Sequence, residues 1–149
     1  MTRALIAVGA ALALMIGGLG LAVFVTRDED TIAVDTPLSE NLTRAIGTRE
    51  RVDLGAYARF DWDEVLIVER GTPREAISRR LGYEWTGDSG FDMGHQLIFL
   101  DRGRVARYAD YRGIARFEGF ESPIDSLPRQ DAVLRVRDLV VSPDRGRAR

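Results

Sequence analysis

Hydrophobic and polar positions fall into two regimes along the chain. From Ala4 to Val25, 22 consecutive residues are drawn only from Ala, Leu, Ile, Val, Gly, Met and Phe. As a helix this run spans roughly 33 Å at about 1.5 Å per residue, enough to cross a bilayer. Beyond it the apolar residues come in short periodic groups, the pattern of one folded domain. Residues 26–35 (TRDEDTIAVD) are mostly polar and predict a linker. TPLSENLTRAIG then predicts a helix, with Thr36 as N-cap, Pro37 at the first helical position, Leu38, Leu42, Ala45 and Ile46 on one face, and Gly47 as the stop.

The run VLIV, Val65 to Val68, is apolar on both parities, which predicts a strand covered on both faces. GTPREAISRRLG follows, with Thr72 as N-cap, Glu75 closing a capping box, Ile77 and Leu81 four apart, and Gly82 at the end. A helix of about nine residues is marginal alone and requires a surface to pack on. QLIFL and VARYADY around Asp101-Arg102-Gly103-Arg104 predict an antiparallel hairpin. In AVLRVRDLVV, Ala132, Leu134, Val136 and Val140 share one parity against Arg135 and Arg137, the signature of a half-buried strand. Gly113 to Arg129 scatters Phe117, Phe120, Ile124 and Leu127 among Gly, Ser and Pro, and reads as a packed loop. The prediction is an α+β domain over residues 36–141, with two short helices on a mainly antiparallel sheet in the order helix-strand-helix-strand-strand-strand, and a disordered tail over 142–149.

The 22-residue apolar run exceeds the roughly 7–15 residues of a signal-peptide core, which favours a retained single-pass anchor over a cleaved signal peptide. Both readings export the domain. Arg3 before the run and Arg27-Asp28-Glu29-Asp30 after it favour an inside amino terminus, so the expected location is the cell membrane with the C-terminal domain outside the cytoplasm. Gly9, Ala13 and Gly17, four residues apart, offer a surface for homodimer formation through the membrane helix.

All 21 basic residues are arginine, against 23 acids, and the chain has no lysine and no cysteine. That composition removes the Schiff-base amine, the phosphate-loop lysine, the thiol nucleophile, the disulfide and the acylated cysteine of a lipoprotein. The net charge of −2 gives no reason to expect nucleic acid as a partner.

Gly87-Asp88-Ser89-Gly90 resembles the nucleophile tetrapeptide of chymotrypsin-like proteases, but the only histidine, His95, follows the serine instead of preceding it. A turn built from turn-forming residues is the favoured reading. Asp88, Asp92 and His95 are candidate cation ligands whose spacing fits no calcium-loop pattern. Asp61, Asp63 and Glu64 form an acidic cluster in which Asp61 and Asp63, on one side of a strand, are candidate carboxylates for acid–base work or for a metal, and a gatekeeper role beside an apolar strand is the favoured reading. Trp62, Tyr83 and Trp85 are expected in the core in preference to a ligand-stacking set. Arg145, Arg147 and Arg149 form a weakly basic tail. No residue is assigned a catalytic, cofactor-binding or metal-binding role, and no cofactor is expected.

DWDEVLIV, TPREAISRRLGYEW and LIFLDRGRVARY, spread over Phe60 to Tyr111, resemble an uncharacterised set of small bacterial membrane-anchored or exported proteins with an Asp-Trp-Asp-x-Val strand and a Thr-Pro-x-Glu-capped helix ending in Leu-Gly. Gly71 departs from that pattern, in which an aromatic often precedes Thr-Pro. The resemblance implies fold and topology and carries no activity. The functional expectation is an extracytoplasmic interaction or structural module of the bacterial envelope, contacting the bilayer through residues 4–25 and another envelope protein through its sheet. The alternatives are a small-ligand or cation sensor using the 86–95 loop and a carboxylate-based cell-wall hydrolase.

Overall fold

The computed structural model describes residues 32–88 and 94–146. The apolar run 4–25, Ser89, Asp92 and the last three residues lie outside the described residues. Among the described residues no helix is long and apolar enough to cross a membrane.

Helix α1 (Thr36–Thr48) buries Leu38, Leu42, Ala45 and Ile46, the predicted face. Its cap is Asp35 and not Thr36: the Asp35 carboxylate accepts from the Leu38 N–H at 3.0 Å, and the Asp35 carbonyl accepts from the Ser39 hydroxyl at 2.7 Å. The expected linker therefore ends early, because Ile32 and Val34 also pack into the domain. Strand β1 (Arg51–Asp53) and the single turn α2 (Leu54–Tyr57) follow; Asp53 caps that turn through the Gly55 N–H.

Strand β2 (Glu64–Val68) lies inside an antiparallel sheet with β3 (Gln96–Asp101), β4 (Arg104–Asp110) and β6 (Ile124–Pro128), in the order β4-β3-β2-β6. Both faces of this sheet are covered, as the unbroken apolar run predicts. Val65, Ile67, Leu97 and Phe99 join α1 in a larger core, whereas Leu66, Val68, Ile98 and Leu100 join helix α3 (Arg74–Leu81) in a smaller one. Each fully buried aliphatic side chain stabilises such a core by about 1.5–3 kcal/mol, which is what holds the eight-residue α3 in place. The hairpin turns at Arg102 and Gly103, both with positive φ (50° and 76°), as in a type I′ turn. A bulge places Ala106 between the pairs Phe99–Arg107 and Leu100–Val105.

The predicted capping box on α3 does not form. The helix starts at Arg74 without a side-chain cap, and the Thr72 hydroxyl donates to the Glu69 carbonyl at 2.7 Å, tying the turn back to β2. Gly82 ends the helix at φ 80°, as predicted.

The last strand is a hairpin instead: β7 (Val133–Arg137) turns at Asp138 and Leu139 into β8 (Val140–Pro143). Ala132, Leu134 and Val136 are buried and Arg135 and Arg137 exposed, as the alternation predicts, but Val140 belongs to the returning strand. With β1 and β5 (Arg116–Phe117) these strands form a second sheet, ordered β1-β7-β8-β5, in which only β5 and β8 run parallel. The segment 113–129 is therefore not simply a loop, since it supplies β5 and β6. Residues 142–146 are not a free tail either. Asp144 bonds Arg51 at 3.2 Å and Arg135 at 2.7 Å, and the Arg51 hydrogen bond leads in holding its carboxyl below the usual range.

Candidate binding cleft

His95 leads into β3, and its carbonyl accepts from the Tyr111 N–H at 2.8 Å, so the end of β4 fixes its backbone. Its ring lies flat on Phe117 of β5, with centroids 4.2 Å apart and planes 13° from parallel. Phe120 continues the stack, 5.8 Å from Phe117 at 28°. The wall is held from behind by Tyr111, a buried phenol whose oxygen accepts from the Ala115 N–H at 2.9 Å. Burial pushes the Tyr111 phenol pKa up. The chain must curl tightly round it, since a Cβ on Gly113 would lie 2.2 Å from its hydroxyl.

The three rings face a cleft of about 270 Å³ between the end of β2 and the turn from β5 to β6. Glu69, Glu118 and Glu121 stand round it. Arg116 lies 3.7 Å from Glu118, and Arg145 pairs with both Glu121 and Asp125. Among the described residues no salt bridge joins Glu69 to an arginine. A second hollow of about 640 Å³ shares Glu69, His95 and Phe117 with the cleft and is bordered also by Arg70, Arg116 and Ile114.

Burial holds the His95 imidazole below its ordinary value of 6.5; the charge of Glu69 opposes this and that of Arg70 adds to it. The unfolded chain then takes up a proton near 6.5 while the folded domain takes it only at lower pH, so stability falls as pH drops through that window. Because this is the only histidine, a single imidazole Hε1 resonance will report the midpoint, expected below 6.5. His95→Phe will flatten the loss of thermal stability between about pH 7 and 6; an unchanged slope would mean that burial of His95 is not its source.

The other candidate residues do not converge on this cleft. Trp62 and Trp85 are buried in different cores, on opposite faces of the four-stranded sheet, and so cannot stack one ligand between them. The Tyr83 hydroxyl accepts the Val105 N–H at 2.8 Å and secures the β4 edge. The Asp63 carboxylate accepts the Arg102 N–H at 2.9 Å, bracing the hairpin turn, and Glu64 pairs with Arg80 at 2.7 Å, bracing α3; Asp61 is exposed. Gly87 and Asp88 close over Trp85: the Asp88 carbonyl accepts from the indole at 2.9 Å and from Gln96 at 3.2 Å, and its N–H donates to the Tyr108 hydroxyl at 3.2 Å. Among the described residues no group of three His, Cys, Asp or Glu side chains is placed to hold a metal ion, and Asp92 lies outside them.

Of the cleft residues, only His95 stood out in the sequence. Phe117 is 22 positions away from it, and Glu69 a further 26 the other way; only the strand pairing brings them together. No protein-family model, curated protein or solved structure matches the chain.

Proposed function

We propose that the chain is an interaction module of a bacterial envelope, held at the cell membrane by residues 4–25 with its domain outside the cytoplasm, and that β5 and the cleft beside it form the recognition surface. One observation carries the choice of surface. Ile114 (82 % exposed) and Leu139 (48 %) are the large exposed apolar side chains among the described residues, and they flank β5: Ile114 lies two positions before Arg116, whose N–H donates to the Leu139 carbonyl. A scattered exposed apolar residue needs no explanation, but a pair flanking a short edge strand beside an aromatic cleft has the make-up of an interface.

Leu139 adds a second support. It sits at φ 62°, in the left-handed region, where a side chain costs about 1–2 kcal/mol and where Gly or Asn would serve the turn better. Stability alone does not select leucine there. Contact with a partner does.

Crosslinking in cells followed by purification of the full-length protein tests this reading. Leu139→Gly will raise thermal stability, by about 0.5 kcal/mol once the flexibility of glycine is discounted. The same change, and Ile114→Ser, will lower recovery of the partner by roughly tenfold, the order expected for losing an apolar anchor of an interface. Recovery that ignores both substitutions, or a wild-type protein that is monomeric and crosslinks to nothing, would remove the proposal.

A further inference from the structure

The cleft has a charge and a size that restrict what can enter it. At about 270 Å³ it lies below the roughly 300–1,000 Å³ of pockets that enclose whole small-molecule ligands, and fits one long side chain. Its wall is a stack of His95, Phe117 and Phe120. Glu118 and Glu121 at the rim are matched by arginines of the chain itself, whereas Glu69 is not. Arg70 and Arg116 border the larger hollow, which shares Glu69 with the cleft, and neither borders the cleft itself. An aromatic wall beside an unmatched carboxylate suits a cation with an apolar stem: the stem covers the rings, and the carboxylate pairs with the charge.

Resting on the reading of this surface as the recognition surface, we infer that the cleft takes an arginine or lysine side chain of the protein partner, with its charged head at Glu69 and its stem along His95, Phe117 and Phe120. A positively charged imidazole would repel such a side chain. Burial keeps His95 neutral at pH 7.

The single histidine makes this directly measurable. The full-length protein in detergent micelles is titrated with the peptide acetyl-Gly-Arg-Gly-amide and, separately, with the same peptide carrying neutral citrulline, while the His95 Hε1 resonance is followed. A saturable shift with the arginine peptide is expected, with affinity lower by roughly fivefold for citrulline and by a similar factor in Glu69→Gln, as for one partly exposed ion pair supported by ring contacts. Equal shifts with both peptides, or an arginine response unchanged in Glu69→Gln, would overturn the cationic assignment while leaving the cleft a binding surface for neutral groups. No shift up to saturating arginine peptide would overturn it as well. In either case partner capture through Ile114 and Leu139 still judges the interface itself, so the two failures are told apart.

Discussion

Trp85→Ala will lower the stability of the domain by about 3–5 kcal/mol, as read from denaturant unfolding of the full-length protein. The indole is fully buried between α3 and the sheet, edge-on to Tyr108 with centroids 5.1 Å apart. It is the largest side chain of the smaller core, whose other wholly buried members are aliphatic or Tyr108. Truncation leaves a cavity that two stacked layers of strand and helix cannot collapse to fill. Its N–H also holds the Asp88 carbonyl. Trp85→Phe keeps most of the volume and gives up only that bond, so it will cost nearer 1 kcal/mol. With domain stability of the usual 5–15 kcal/mol, the alanine variant stands close to unfolding. A loss below about 1 kcal/mol for Trp85→Ala would mean that the smaller core is not a packed layer.

Gly87→Ala is expected to cost about 1–3 kcal/mol, by overpacking. Its backbone lies outside the left-handed region, so φ does not select for glycine; the indole does. A Cβ there would stand 2.3 Å from Trp85 Cζ2 and under 3.0 Å from two further ring atoms, and the ring is enclosed on its other sides. The two substitutions must therefore couple: in the Trp85→Ala background, Gly87→Ala will cost almost nothing. Additive losses would show that the Gly87 requirement is unrelated to the indole. The Gly-Asp of the protease-like tetrapeptide thus has a packing explanation, since Asp88 acts through its backbone and Gly87 through the absence of a side chain.

What was legible in the sequence follows from which signals are local. Ile77 and Leu81, the stop at Gly82, and the alternation of Leu134 and Val136 with Arg135 and Arg137 depend on neighbours within a turn or two, and all hold in the fold. The two-sided burial of VLIV was equally readable, because a strand with one wet face would show polar residues at every second position. The turn at Asp138 and Leu139 was not. Leucine is an unfavourable residue for positive φ, so an unbroken strand was the better local reading. Strand β6 carries no local strand signal, because Ile-Asp-Ser-Leu-Pro has one β-branched residue and a proline, and pairs only because it is an edge. The capping box failed although its residues are present, since the helix starts one residue late: Pro73 takes the N-cap position, which leaves Thr72 and Glu75 out of register for the box. The cleft depends on long-range pairing, and no periodicity encodes it.

Strand β5 carries the central ring of the cleft on two residues paired in parallel with β8. Its attachment rests on the Arg116 and Glu118 amides, bonded to Leu139 and Val141 at 2.8 Å each. Such a segment opens at far smaller free energy than the four-stranded sheet, so these two amide protons will exchange with deuterated solvent well ahead of those in β2 and β3. Anything that seats in the cleft must then hold β5 closed. Slowed exchange at Arg116 and Glu118 alone would be the footprint of an occupied site, visible before the occupant has been identified.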